Sequence, residues 1–334
     1  MPIITAFFSM PWVSLIVAAI IAVGITVTPA WNARRASRER LVPTAGLVAR
    51  YSPEHRTLGI TAIVVIVAFV AENLISGYAL DLADVVAWWR YPMPMITASV
   101  GVGILLAIIA TRGSAPVEQP VISARRTWLT FSARTGSVGA GLTLLALSTI
   151  TILAGLASSN IGDGPYVFLE IEVPNETIDP IRPWFYGWAY GVPVLICTAA
   201  LIAVTVGALH ANASRSFMRP QTVIAEQRQR RAVATGITRI STSAALLTLA
   251  GAVRFIADAG SVAGLTIQGD LRSDSYTAYW RYGEVAAVGG AVSPLLEIAA
   301  FVLLLLVTAQ LYPSGCIAQP SVDAESHAER ETAQ

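Results

Sequence analysis

No lysine occurs anywhere in the 334 residues, so all 22 basic side chains are arginine. That absence excludes a retinal Schiff base or any other cofactor carried covalently on lysine. Histidine is almost as scarce. His55, His210 and His327 all fall at or beyond the ends of apolar segments, which excludes a histidine metal site or proton relay running through a core. The two cysteines, Cys197 and Cys316, lie in segments of different depth and provide neither a disulfide framework nor a zinc pattern. The chain also lacks a zinc-protease H-E-x-x-H, a G-x-S-x-G elbow and a phosphate-cradling glycine loop. No enzymatic activity, cofactor, metal or nucleic-acid partner is expected.

Charge is sparse too. Only 13% of residues are charged and 54% are hydrophobic, with a mean hydropathy of +0.62, far too apolar for an ordinary soluble chain. Runs long enough to cross hydrocarbon, about 17 to 25 residues each, are centred near Ala19, Ala68, Val102, Ala146, Ala200, Leu246 and Phe301. The expected fold is an all-α polytopic membrane protein with seven transmembrane helices. The first run resembles a secretory leader only in position. No positive charge precedes it and arginines follow it, so it reads as a retained anchor.

Arginine clusters in alternate connections. Arg34, Arg35, Arg38, Arg40, Arg50 and Arg56 precede the second run, Arg112, Arg125, Arg126 and Arg134 the fourth, and Arg215, Arg219, Arg228, Arg230 and Arg231 the sixth. The other connections are acidic, with Asp163, Glu170, Glu172, Glu176 and Asp179 in one and Asp258, Asp270, Asp274 and Glu284 in another. Because short arginine-rich loops stay on the cytoplasmic side, the pattern predicts an outer amino terminus and a cytoplasmic carboxyl terminus. The expected location is a bacterial plasma (cytoplasmic) membrane, crossed many times. Residues 1–315 form the membrane domain, and 316–334 read as a disordered tail.

A repeat underlies the pattern. Pro43 leads to Gly59, Pro120 to Gly136 and Pro220 to Gly236 at one shared interval, each across a segment that reads as a short interfacial helix opening into a span at the glycine. On the other side, arginine and aromatics precede Pro94, Pro193 and Pro294, which suit the first turn of an odd-numbered helix. Three parallel helical hairpins, about 8–80, 91–158 and 187–258, plus a last helix at about 286–312, account for the chain. The acidic "YVFLEIEV" at 166–173 reads as a strand.

Four polar residues interrupt the apolar runs and are the candidate binding or coupling residues: Glu72, Asn73, Arg254 and Glu297. An ionisable group at the centre of a membrane helix costs about 2.5 to 3.5 kcal/mol on insertion scales, so each asks for a partner or a function. Counted from Gly59, Glu72 lies about 20 Å into its span, and Arg254 is its nearest opposite charge by depth. Arg254 either snorkels outward or reaches back to a carboxylate. Glu297 has two readings. If Pro294 starts its helix, it is a first-turn charge favoured by the helix dipole. If "AVGGAVSP" continues as a kinked helix, it lies deeper, beside Glu72. The functional expectation is a permease, alone or as the membrane subunit of a larger transport complex. The alternative is a non-transporting partner or sensor whose outer loops bind another envelope component. Besides the lipid bilayer, other membrane or cytoplasmic subunits are the partners implied.

Overall fold

The computed structural model describes residues 11–28, 45–76, 86–112, 131–173, 179–217, 222–262, 264–268 and 273–309. These contain seven helices: α1 (Pro11–Val27), α2 (Ala45–Leu74), α3 (Met93–Thr111), α4 (Arg134–Ala157), α5 (Trp188–Ser214), α6 (Val223–Gly260) and α7 (Gly283–Thr308). Two small antiparallel pairs join them, β1 (Ser158–Ser159) with β2 (Phe168–Leu169) and β3 (Gly264–Gln268) with β4 (Ser273–Thr277). The chain is therefore a largely helical, multi-pass membrane protein. Helices α2 to α7 are each long and apolar enough to cross a membrane, while α1 is shorter. The tail from 316 lies outside the described residues.

Helix α6 organises the bundle. It packs on α2, α3, α4, α5 and α7, and α1 lies outside this group, mainly against α7. The sequence of α6 explains why a 38-residue helix can sit at the centre. Alanine, serine, threonine and glycine occupy several of its faces, so neighbouring backbones approach closely. Leu58 of α2 seats against Gly236, where an added Cβ would lie 2.7 Å from its Cδ1. The hydroxyls this composition buries are satisfied locally. Thr238, Ser241 and Ser243 donate to carbonyls of their own helix, and Thr248 donates to the Tyr91 carbonyl at 3.0 Å.

Several boundaries differ from expectation. Gly59 and Gly236 do not open helices. Both lie well inside unbroken ones, because the polar segments before them are helical where described and run straight into the spans. Thirty-eight residues at 1.5 Å each give α6 about 57 Å, roughly twice a hydrocarbon core. The polar stretch before Gly236 is thus about the first third of the same rod. Pro43, Pro120 and Pro220, the starts of the expected repeat segments, lie outside the described residues. Pro94 does occupy the first turn of α3, but Pro193 and Pro294 are inside α5 and α7. Helices joined at the arginine-rich end are also not the main packing partners: α1 turns to α7, and α4 to α6 and α5. The strand expected at 166–173 is present in part, as β2 with bridges from Phe168 to Trp184 and Ile171 to Ile181.

Candidate functional site

At the acidic end of the molecule, Tyr91, Tyr186, Tyr190 and Phe255 form a closed aromatic group. The Tyr91 ring stacks on Phe255 at 5.8 Å and meets Tyr186 and Tyr190 edge-on at 5.1 and 5.4 Å. Burial pushes the Tyr91 and Tyr186 phenols far above their usual range, so both remain neutral. This group ties the connection before α3 to α5 and to the acidic-end half of α6.

Just below it lie two of the candidate residues. Arg254 projects from α6 and Glu297 from α7, with Arg254 Nη2 2.6 Å from Glu297 Oε1. The second carboxylate oxygen of Glu297 accepts from Ser14 Oγ of α1 at 2.9 Å. Glu297 is fully buried, whereas the Arg254 side chain keeps 21% of its exposure. Asp258 follows Arg254 by one turn on α6 and is exposed.

This geometry decides between the two readings of Glu297. Helix α7 begins at Gly283, about three turns before Pro294, so Glu297 is not in a first turn. The local sequence accounts for the difference. Pro294 lacks the N–H that would bond one turn back and its ring crowds that carbonyl, but "AVGGAVS" remains helical because neighbouring helices support it. Gly289 and Gly290 press against Val253 and Ala257 of α6, where an added Cβ would lie 2.7 and 2.8 Å away. Ser293 Oγ donates to the Ala250 carbonyl at 2.9 Å. The glycines bring the two backbones together, and that closeness lets Arg254 reach Glu297.

Glu72 and Asn73 stand apart from this contact. The carboxylate placed against Arg254 is Glu297, which takes the pairing expected of Glu72. Helix α2 runs unbroken from Ala45 to Leu74, and Glu72 lies near its Leu74 end. There it is half-buried and accepts from Ser76 Oγ at 2.6 Å, while Asn73 Nδ2 donates back to the Phe69 carbonyl at 2.8 Å.

A second buried charge group, at the arginine-rich end, was not singled out from sequence. Arg230 of α6 is completely buried. Its Nη1 and Nη2 donate to the carbonyls of Arg215 and Ser216 at 2.7 and 2.8 Å, and its Nε to Tyr51 Oη at 3.4 Å. The guanidinium lies 4.5 Å from the Phe217 ring centroid and 3.5 Å from Glu226 Oε2. Beside it, buried Arg215 of the chain leaving α5 donates to buried Glu54 of α2 at 2.7 Å, and Asn212 Nδ2 donates to the Arg230 carbonyl at 2.9 Å. One signal was available: Glu226 and Arg230 are one turn apart on one helix face.

Comparison with protein-family models, with curated proteins and with solved structures finds no match for this chain.

Proposed function

We propose that the protein is a permease of a bacterial plasma membrane, acting alone or as the membrane subunit of a larger transport complex, with Arg254 and Glu297 as its coupling pair. In this reading α1 is a seventh span, the amino terminus is outside and the arginine-rich end faces the cytoplasm. The observation that carries it is the fully buried Glu297 carboxylate, shared between Arg254 of α6 and Ser14 of the peripheral α1. A buried ion pair is a poor device for stability alone, since apolar side chains of similar volume often serve as well or better. Here the charge also sits just past Pro294 and Gly289–Gly290, where the helix carries features that allow bending. Neutralising Glu297, by a proton or by a competing cation, releases Arg254 and loosens α1. A change of protonation is thereby coupled to a change of helix packing.

The test is electrical. Proteoliposomes adsorbed on a solid-supported membrane are challenged with pH jumps, sodium jumps and panels of small solutes. A transient current in the wild type that Glu297→Gln removes, with that variant still folded, is the expected result. Absence of current under every challenge, together with mutual rescue of Glu297→Gln and Arg254→Gln in melting curves and no pH or ion linkage in the wild type, would reduce the pair to a staple.

One observation favours a second reading, a membrane partner or sensor without transport. Residues 158–173 and 179–187 pair with one another through β1, β2 and the two bridges, and hold an Arg182–Glu170 pair at 3.0 Å on their surface. Affinity purification from the native membrane after surface crosslinking would identify an envelope component bound there.

A further inference from the structure

The paired segments at the acidic end run as three short antiparallel stretches, with 167–171 in the middle. On one side this stretch meets β1, where Ser159 stands opposite Phe168. On the other it meets 181–185, through Leu169 N to Pro183 O at 3.0 Å, the reciprocal Ile171 and Ile181 bonds at 2.9 and 3.0 Å, and Phe185 N to Val167 O at 2.7 Å. In that register 168 faces 184 and 170 faces 182 as pairs whose backbone groups point away from each other. The amides and carbonyls of Arg182 and Trp184 are therefore turned to the outer edge of the last stretch. Among the described residues no group hydrogen-bonds to them.

The side chains follow the same alternation. Val167, Leu169, Ile171 and Phe185 are buried, while Glu170, Glu172 and Arg182 are exposed. Phe168 lies against Trp184 with ring centroids 5.2 Å apart, and Glu170 against Arg182 at 3.0 Å, so the directly opposite pairs hold the two stretches in register. Charge is set by the sequence itself: from 158 to 187 there are Asp163, Glu170, Glu172, Glu176 and Asp179 against Arg182 alone. The unit is strongly acidic.

We infer that the Arg182–Trp184 edge accepts an extended, basic segment of a partner protein as a further strand. Unpaired amides and carbonyls along an edge are a template for main-chain bonds, and the surrounding charge selects which strand arrives. Asp179 heads the edge stretch, and Glu170 and Glu172 lie on the stretch behind it, about 10 Å or two strand spacings from the added chain. Long lysine or arginine side chains span that gap. A second copy of this chain is a poor occupant, because it brings the same acids to the contact. This gives the second reading above, on which it rests, a partner of stated chemistry; the permease reading is independent of it.

Fluorescence anisotropy of the full chain in neutral detergent tests it with three short labelled peptides: alternating lysine and valine, alternating glutamate and valine, and the lysine–valine peptide with every amide N-methylated. Only the first is expected to bind saturably. Arg182→Pro deletes an edge N–H and neither of the flanking inward bonds, and should weaken binding tenfold or more, whereas Arg182→Gln keeps the N–H and should not weaken it. Should Arg182→Pro fold poorly, slowed hydrogen exchange of the Arg182 and Trp184 amides when the peptide is added to the wild type serves in its place. Glu172→Gln with Asp179→Asn should also cost tenfold or more, while Asp258→Asn with Glu284→Gln, the same charge change elsewhere at this end, should cost nothing. Equal losses from the two acidic pairs would make the attraction diffuse and overturn the edge. So would indifference to N-methylation or to Arg182→Pro, or a wild-type dimer that Arg182→Pro dissolves. Failure of the lysine–valine peptide, with one envelope component still crosslinked at this unit, would overturn the edge and leave the second reading standing.

Discussion

Arg230 and Arg254 stand on the same helix, about 36 Å apart, and solve the problem of a charge away from bulk water in opposite ways. Around Arg230 the burial is complete, and two backbone carbonyls, a phenol and an aromatic face hold the guanidinium, with Glu226 at 3.5 Å contributing charge balance more than geometry. Around Arg254 a carboxylate at 2.6 Å dominates, part of the side chain stays exposed, and the partner carboxylate is shared with a helix at the edge of the bundle. Fixed carbonyls cannot be titrated or exchanged, whereas a carboxylate can. The first guanidinium is held mainly by groups that do not titrate, and the second by one that does.

The largest effect is expected at the saturated site. Arg230→Gln removes the donors to the carbonyls of Arg215 and Ser216 and the positive charge beside Glu226 at a buried site, a loss of about 3 to 5 kcal/mol. Detergent melting should show it as a large fall in midpoint. Arg230→Lys should recover little, because one ammonium cannot reproduce a fork that serves two carbonyls and lies on a ring. Substantial rescue by lysine would mean that charge alone matters there and would erase the contrast with Arg254.

Next comes the exchangeable pair. Glu297→Gln and Arg254→Gln should each lower stability by less than Arg230→Gln does, because the Arg254 side chain is only partly buried. The double variant should recover part of the loss, with a coupling of about 0.5 to 3 kcal/mol. A double variant as damaged as the sum of the singles would mean that the two side chains stabilise the bundle independently.

A smaller effect is expected at Ser14. Ser14→Ala removes the donor to Glu297 Oε2 and should cost about 1 kcal/mol, concentrated in one element. Hydrogen exchange should speed up in Pro11–Val27 and stay unchanged in α5 and α6. Acceleration spread over the whole bundle would show that α1 is integral to the fold rather than clasped onto it.

The helices and the separation of arginine from acid were legible in the sequence because both follow from solvent: apolar runs need hydrocarbon, and the charges collect at its edges. The packing partners were not. Nothing in "PWVSLIVAAI" says that Ser14 will face Glu297 across the whole length of the chain. The Arg230 site was missed for a related reason. In "QTVIAEQRQRRAVAT" Glu226 and Arg230 have the composition of a solvated face, and only the arrival of Tyr51, Phe217 and the end of α5 buries them. Glu297 could be read two ways because a proline at a helix start is common and a proline inside a helix needs tertiary support. That support comes from Gly289, Gly290 and Ser293 meeting α6, which is long-range information.

The smallest effect is expected at Glu72, and it sharpens the comparison from the other side. This carboxylate sits near the Leu74 end of α2, which continues into a π-turn at Ile75 and Ser76. The helix dipole is unfavourable to an anion there, but the group is half-buried and its nearest donor, Ser76 Oγ, is local. Water and a neighbouring hydroxyl can replace what it loses, so Glu72→Gln should change stability by no more than about 0.5 kcal/mol, and a neutral amide at a helix carboxyl end can even be an improvement. The same substitution at Glu297 disturbs three helices. Measured side by side, the two variants separate the cost of a carboxylate's position in the sequence from the cost of its partners in space. If Glu72→Gln proved as damaging as Glu297→Gln, and Arg254→Gln relieved it, Arg254 would be shared between two carboxylates and the coupling site would extend to α2.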